Sequence, residues 1–199
     1  MARLSLNKSS LTRQKRQLDS YEQFLPSLDM KRKQLIAELG KARSELAALR
    51  RKLEALDPEI AETLPMLADE RIDLTDMVAV KAVELREQNV MGARIPFLSR
   101  VDIRVREYAF LGKPHWVDRL VDYLRRALEL RIRTQVAQRR LRLLDEALRV
   151  ITQRVNLFDK VLIPRTKANI KKIEIYLSDA DRAGVVRAKI AKQKKEVAV

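Results

Sequence analysis

The sequence of 199 residues contains no cysteine, four glycines, six prolines and only 5% aromatic residues. The absence of cysteine excludes disulfides and thiolate metal sites, and it is consistent with a reducing compartment. The four glycines are widely separated, so they form no glycine-rich phosphate loop. No apolar run of about 18 residues is present, so we predict no membrane-spanning helix. The N-terminal residues lack the apolar stretch of a signal peptide, and we expect a cytoplasmic protein.

Residues that could carry out catalysis are equally scarce. His115 is the only histidine, so the chain cannot supply the two histidines of a zincin site. With no cysteine, a nucleophile–base pair also has few residues to use. We interpret His115, next to Trp116, as a turn residue at a helix start. The sequence therefore predicts a protein without an active site, metal or cofactor.

Positive charge is abundant, with 42 Lys and Arg against 27 Asp and Glu, a formal net charge of +15. Such an excess favours an anionic partner, which can be nucleic acid, an anionic membrane face or an acidic protein cavity. The basic residues are interleaved with acidic ones and not with aromatics, so no single-strand-binding pattern appears. The low glycine, proline and aromatic content indicates long helices.

Two stretches, Leu11 to Leu56 and Ala137 to Leu177, repeat apolar residues at steps of three and four. This spacing is typical of a coiled coil. Because the stretches are similar in length and bracket the middle of the chain, we predict an antiparallel pair. Leu11 should lie near Leu177, and Leu56 near the start of the second stretch. The predicted seam includes Leu18, Leu25, Leu39, Leu46, Leu53, Leu141, Leu148 and Ile151.

The predicted fold class is therefore all-α dominated, a long antiparallel two-helix coiled coil with a small middle segment that contains a short β-hairpin. The predicted segments are an N-terminal helix 1–57, a middle cap 58–116, a C-terminal helix 117–178 and a basic arm 179–199. We expect the arm to become ordered only when it is bound to a partner.

Local signals give the expected ends of these elements. Asn7, Ser9 and Ser10 are candidate N-caps of the first helix, and Asp57-Pro58 should end it. Within the cap we predict a short helix over 68–83 and two short strands, at 89–96 and 101–105.

Two prolines fall inside the predicted helices, Pro26 in the first and Pro164 in the second. The apolar phase continues past both, so we predict kinks and not helix ends. Whether the kinks give a functional asymmetry or are tolerated without a role stays open at this point.

Three segments resemble the D-subunit family of V-type and A-type rotary ATPases. They are the basic opening from Leu11 to Ile36, the Asn89–Pro96 segment, and the most specific one, Arg154–Arg165. Pro26, Pro58 and Pro65 depart from the unbroken helices that the family pattern implies. The residues that carry the family motif are Val155, Asn156, Ile163, Pro164, Asn89, Val90, Gly92 and Pro96.

The resemblance implies a central rotor shaft that couples ATP turnover in a catalytic hexamer to proton or sodium transport by a membrane ring. The implied partners are the hexamer of A and B subunits, the small F subunit on the side of the shaft, and an adapter on the membrane ring. No membrane insertion, nucleic acid or bond chemistry is implied, and the location is cytoplasmic and peripheral to the membrane. We expect residues 30–33 and 154–167 to lie opposite each other and to form one basic collar. The predicted hexamer-facing charges are Lys31, Arg32, Lys33, Arg154, Arg165, Lys167, Lys171 and Lys172.

Two other functions remain alternatives at this point. One is a nucleic-acid-binding coiled coil, which the net charge permits. The other is the stalk protein of a type III secretion ATPase, although such a protein is usually shorter and lacks an inserted hairpin.

Overall fold

The computed structural model of the chain describes residues 4–65, 77–106 and 114–197, with side chains up to residue 194. The elements in chain order are helix α1 (Lys8–Thr63), strands β1 (Val78–Val90) and β2 (Ala93–Val105), helix α2 (Trp116–Leu157), a π-helical turn (Phe158–Leu162) and helix α3 (Ile163–Val197). The strands form one two-stranded antiparallel sheet. The predicted fold class, mostly helical with a small hairpin in the middle, is confirmed.

Helix α1 begins at Lys8 because Asn7 caps it. The backbone N–H of Ser10 donates to Asn7 Oδ1 at 2.7 Å, which satisfies one of the free amides of the first turn. The prediction that α1 ends at Asp57-Pro58 is wrong, since the helix continues to Thr63. Buried Leu56 and Leu64 follow the seam spacing past Pro58, so their packing outweighs the hydrogen bond that the proline removes.

The seam leucines of α1 and of the second helical stretch lie inside. All eight predicted seam residues, from Leu18 to Leu53 and from Leu141 to Ile151, are buried or half-buried. The intervening positions on the outer faces are largely exposed and polar. This is the pattern of two amphipathic helices that bury one stripe each against a partner.

The molecule consists of two compact units, each of which contains part of the helical chain. Unit 1 comprises Met1–Arg32 and Val150–Val199, and unit 2 comprises Lys33–Arg149. In unit 1, Lys15 Nζ lies 2.8 Å from Glu174 Oε1, and Leu11 and Leu177 line the same groove. The helices of unit 1 therefore run antiparallel, with Leu11 near Leu177 as predicted.

The helices of unit 2 are also antiparallel, but their register differs from the prediction at one end. Arg140 Nη1 lies 2.9 Å from Glu45 Oε2, and the Tyr123 hydroxyl donates to Glu59 Oε1 at 3.1 Å. Leu56 therefore does not lie near Ala137. The second helix begins at Trp116, about 20 residues before the stretch in which the regular apolar spacing was recognised.

Unit 2 has its own apolar core at the ends of its helices and strands. This core is formed by Leu64, Met77, Trp116, Val117, Leu120 and Val121, with Val78 and Val105 packed against it. His115 lies in the turn that precedes α2, as the sequence predicts. The core joins the end of α1, the open ends of both strands and the start of α2.

The hairpin differs from its prediction in two respects. The predicted helix over 68–83 is wrong for Val78 to Val83, which belong to β1, while 68–76 lie outside the described residues. The predicted strand 89–96 instead contains the turn, because Val90 pairs with Ala93. The predicted strand 101–105 is the last part of β2. The β-branched residues from Val78 to Val83 suit an extended strand better than a helix.

The predicted boundary at Ser178 is not a helix end, because α3 continues to Val197. The basic residues assigned to a separate arm belong to this helix. Their side chains from Arg187 to Lys194 are exposed. Lys, Arg and Ala have a high helix propensity, which favours a helix here although its side chains are not packed.

Candidate interaction surfaces

The register of unit 1 is set by three contacts between α1 and the second helical stretch. They are the ion pair Lys15–Glu174, the ion pair between Glu22 and Lys167 at 2.9 Å, and an edge-to-face contact between Tyr21 and Phe158. The two rings have centroids 5.4 Å apart and planes at 86°, a favourable aromatic geometry. Both ion pairs are about half exposed, so each contributes only about 0 to 1 kcal/mol.

This register rules out the predicted basic collar as a single ring. Glu22 and Tyr21 face Lys167 and Phe158, so most of the segment from Arg154 to Lys167 does not lie opposite residues 30–33. Arg154 and Lys167 are 13 residues apart, which corresponds to on the order of 20 Å along a helix. The basic residues are therefore spread along the helices and do not form a belt at one level.

The eight predicted hexamer-facing residues also differ in their partners. Lys167 is paired with Glu22, and Arg32 Nη2 lies 2.5 Å from Asp29 Oδ1. Lys33 belongs to unit 2 and has a partner of its own. The remaining five are exposed and form no ion pair with the described residues, namely Lys31, Arg154, Arg165, Lys171 and Lys172.

The family-motif residues of the second helical stretch surround the π-helical turn. The N–H of Ile163 donates to the carbonyl of Phe158, five residues back, where an α-helix uses four. Pro164 follows at once. In a regular α-helix its ring would press on the carbonyl of Lys160, and the wider turn removes this clash. Val155 is buried, Ile163 half-buried, and Asn156 and Pro164 are exposed.

The π-helical turn also absorbs one extra residue in the seam. The inward positions there are Phe158, Ile163, Thr166 and Ile170, and the first of these steps is five residues where the repeat has three or four. The sequence carries this signal as a step of eight between Leu162 and Ile170, where two steps normally add up to seven. The prediction of a kink rested on Pro164 and not on this step of eight residues.

The other motif segment forms the hairpin turn. Met91 and Gly92 both have positive φ, 51° and 93°, as a two-residue type I′ turn requires. The N–H of Gly92 donates to Asn89 Oδ1 at 2.9 Å, which fixes the turn. Val90 and Pro96 are half-buried beside it. The motif Asn89-Val90-Met91-Gly92 is therefore explained by turn geometry.

Arg140 is the residue that sequence reasoning missed in unit 2. Its guanidinium carbon lies 4.3 Å from the ring centroid of Phe97 on β2, and Nη1 pairs with Glu45 on α1. Only 13% of the Arg140 side chain is exposed, whereas 53% of its partner Glu45 is exposed, so the arginine is shielded from water and the carboxylate is not. Arg140 thus joins α1, α2 and the hairpin. No local pattern could have indicated it, because its partners lie 43 and 95 residues away.

An exposed apolar stripe lies on the outer face of unit 1. Val150, Leu157 and Val161 are each close to half exposed and follow a spacing of seven and four, which places them on one helix face. Surface of this kind is often covered by another protein.

Within residues 4–65, 77–106 and 114–197, no group of three metal-binding side chains is present. No helix in that part of the chain is long and apolar enough to cross a membrane.

Comparison with known proteins gives a consistent result along nearly the whole sequence. The family model that describes the D subunit of ATP synthase matches residues 10–193. The chain is 33% identical over 192 residues to the V-type ATP synthase D subunit of Borreliella burgdorferi, with 96% of this chain and 95% of that relative covered. It is 35% identical over 198 residues to the V-type ATP synthase D subunit of Chlamydia muridarum, with 97% and 96% covered.

Proposed function

Since the chain belongs to the ATP synthase D-subunit family, we propose that it is the central-stalk rotor subunit of a V-type rotary ATPase. The observation that carries this proposal is the family match over residues 10–193, which includes both helical stretches and the hairpin. The same match favours this function over a nucleic-acid-binding coiled coil or a type III secretion stalk. In this role the chain couples ATP synthesis or hydrolysis in the catalytic hexamer to proton or sodium transport.

The chain itself performs no bond chemistry in this proposal. The catalytic hexamer of A and B subunits makes or hydrolyses ATP, and the stalk transmits torque between it and the membrane ring. It stays outside the membrane, on the cytoplasmic side, as a peripheral part of the complex. Interactions that are individually weak suit a rotating surface, because a strong contact at one angle would stall the rotation.

Unit 1 carries the surface that we assign to the hexamer. Its exposed cations without an ion pair in the described chain are candidates for contacts of about 0 to 1 kcal/mol each. Of the five cations named above, one lies on α1 and four lie on the second helical stretch, so this charge is uneven around the stalk. An uneven surface can favour some hexamer states over others as the stalk turns. The π-helical turn and Pro164 add to this asymmetry, and the alternative is that they are a tolerated irregularity.

The middle of the sequence, in unit 2, is the part that we assign to the membrane-ring adapter. The F subunit is the partner on the side of the helices, and the exposed stripe of Val150, Leu157 and Val161 supports a protein partner of this kind.

A pull-down from native membranes with the tagged full chain tests the assignment. We expect the hexamer subunits, a small side subunit and a membrane-ring adapter to be recovered together. Recovery of nucleic acid or of a secretion ATPase, without the hexamer, would refute it.

The hexamer-facing surface is tested by reversing Lys31, Arg154, Lys171 and Lys172 to Glu together. We expect ATP turnover of the hexamer with its stalk to fall. The matched control reverses Arg43, Arg50, Arg51 and Lys52, which are exposed on α1 in unit 2. Equal turnover in both variants would argue against the assigned surface.

A further inference from the structure

A polar groove lies in unit 1 between the first turns of α1 and the start of α3. It has a volume of about 240 Å³, and side-chain amides cross it. Asn169 Nδ2 donates to Gln14 Oε1 at 3.4 Å, and Gln14 Nε2 donates to Gln17 Oε1 at 3.0 Å. Arg13 and Arg165 line the same groove, one from each helix.

The groove is continuous with a shallow depression along α1, because both are lined by Arg13, Gln17 and Tyr21. The depression runs from Ser9 to Tyr21, on the order of 18 Å along the helix. Its lining residues follow alternating steps of three and one, so they share one helix face. They are Ser9, Thr12, Arg13, Arg16, Gln17, Ser20 and Tyr21.

The cations along this surface differ from their neighbours in one respect. Lys15 and Lys167 are neutralised by Glu174 and Glu22. Arg13, Arg16 and Arg165 are exposed and form no ion pair with any described residue. No described Asp or Glu lines either part of the surface, whereas the groove beside Arg140 in unit 2 contains Glu45 and Glu129. Among the described residues, the surface therefore has three guanidiniums and no carboxylate.

We propose that this surface, the arginine groove, binds an acidic segment of a protein partner. The occupant rests on the proposed stalk function and is a stretch of a surrounding subunit that presents carboxylates to Arg13, Arg16 and Arg165. All three arginines are exposed, so each contact is weak enough to be released as the stalk turns. Guanidinium forks suit carboxylates because two parallel N–H donors match the two oxygens. The length of the groove favours a peptide over a single phosphate, and the small Ser9, Thr12 and Ser20 leave room for its backbone.

The binding test uses a fluorescent peptide that alternates Glu and Ser, together with its Gln-for-Glu counterpart. We compare the wild-type chain with the triple variant Arg13→Gln, Arg16→Gln, Arg165→Gln. At low salt we expect the variant to bind the Glu peptide at least about tenfold more weakly, and the wild type to bind the Gln peptide weakly. The control Arg43→Gln, Arg50→Gln, Arg51→Gln removes the same charge from exposed positions of unit 2 and should keep wild-type affinity.

If both triple variants lose the same affinity for the Glu peptide, the effect depends only on net charge and the proposal is wrong. The proposal is also wrong if the groove variant binds the Glu peptide as tightly as the wild type does. Competition with inorganic phosphate and with unlabelled Glu peptide is also measured. If phosphate displaces the fluorescent peptide as effectively as the unlabelled peptide does, the surface is an ion site and the proposal is wrong. Circular dichroism of both variants checks that their helices are intact.

The identity of the occupant is tested in the assembled complex. Ser20→Cys gives the cysteine-free chain one attachment point in the groove for a photoactivated crosslinker. We expect a crosslink to an Asp- or Glu-containing segment of a neighbouring subunit, and a crosslink to a segment without carboxylates would refute the proposal. The pull-down distinguishes failure of the groove proposal from failure of the stalk function. If the hexamer is recovered but the groove variant binds the Glu peptide as the wild type does, only the groove proposal is refuted. Groove-dependent peptide binding without hexamer recovery refutes the stalk function alone.

Discussion

In unit 2 the leucines of α1 are covered more completely than in unit 1. Leu35, Leu39 and Leu46 are buried in unit 2, whereas Leu18 and Leu25 in unit 1 are half-buried although they occupy the same seam. Unit 2 adds a hairpin and an apolar core to its helices, whereas the described part of unit 1 is helical from Lys8 onward. The accessible part of the seam in unit 1 lies on α1, because Val155 and Ile173 of the opposite stretch are buried.

The comparison indicates a division of roles. Unit 2 obtains its stability from burial and from Arg140, which holds three elements together. In unit 1 the α1 side of the seam is less covered and the second helical stretch is irregular at the π-helical turn. We propose that the same helical repeat serves packing in unit 2 and recognition of partners in unit 1.

The strongest test of the irregular helix in unit 1 is a pair of single-residue deletions. Deletion of exposed Lys160 together with Pro164→Ala should convert the π-helical turn to regular α-helix and keep the seam residues facing α1. This variant should lose less than about 1.5 kcal/mol of the free energy of unfolding. Deletion of exposed Gln153 from regular α-helix turns Val155 and Ile173 away from α1 by about 100°. It should cost about 4 kcal/mol or more in chemical denaturation. Similar costs for both deletions would refute the one-residue insertion.

The difference in burial between the units predicts different costs for the same substitution on α1. Leu39→Ala in unit 2 should lower the free energy of unfolding by about 3 kcal/mol, because a buried side chain leaves a cavity. Leu25→Ala in unit 1 should cost about 1.5 kcal/mol, since solvent already reaches that side chain. Denaturant unfolding of both variants measures the difference, and a larger loss for Leu25→Ala would contradict the comparison.

The role of Arg140 predicts local loosening of the hairpin in unit 2. Arg140→Ala should cost about 2 kcal/mol and increase amide hydrogen exchange in β1 and β2, because Phe97 and Glu45 both lose a partner. Arg133→Ala is the control, since Arg133 pairs with Glu129 on its own helix at an exposed site and should cost less than about 0.5 kcal/mol. Unchanged exchange in the strands of the Arg140 variant would show that other contacts hold the hairpin.

The smallest predicted effect is a stabilisation at the hairpin turn. Met91 has a φ of 51°, which is unfavourable for a side chain of this type, whereas Asn adopts this conformation readily. Met91→Asn should therefore raise the free energy of unfolding by about 0.5 kcal/mol, and Met91→Val should lower it. Thermal unfolding gives both values, and the opposite order would contradict the type I′ assignment.

Much of the helical fold could be predicted from the sequence because apolar residues on the buried face of a helix recur at regular steps. The spacing from Leu11 to Leu56 gave the antiparallel pair, and Asn7 gave the helix start. Pro58 was misleading because the packing of Leu64 outweighs the loss of the backbone hydrogen bond that a proline cannot form. Val78 to Val83 was misleading because a short apolar run fits a helix or a strand, and the pairing with β2 decides between them.

The surfaces were less predictable, since they depend on which residues meet across the fold. The basic residues could be named from the sequence, but not which of them are neutralised. Only the register shows that Glu22 reaches Lys167, while Arg13 and Arg165 form no ion pair with a residue that the structure describes. The contact of Arg140 with Phe97 is likewise a product of tertiary structure.

Rotation of the chain inside its complex is the most direct test of the stalk function. Glu87→Cys on exposed β1 gives the cysteine-free chain one attachment point for a bead, with the hexamer fixed to a surface. We expect rotation in one direction that begins when ATP is added and stops when it is removed. A bead that stays still while the same complexes hydrolyse ATP would contradict the account.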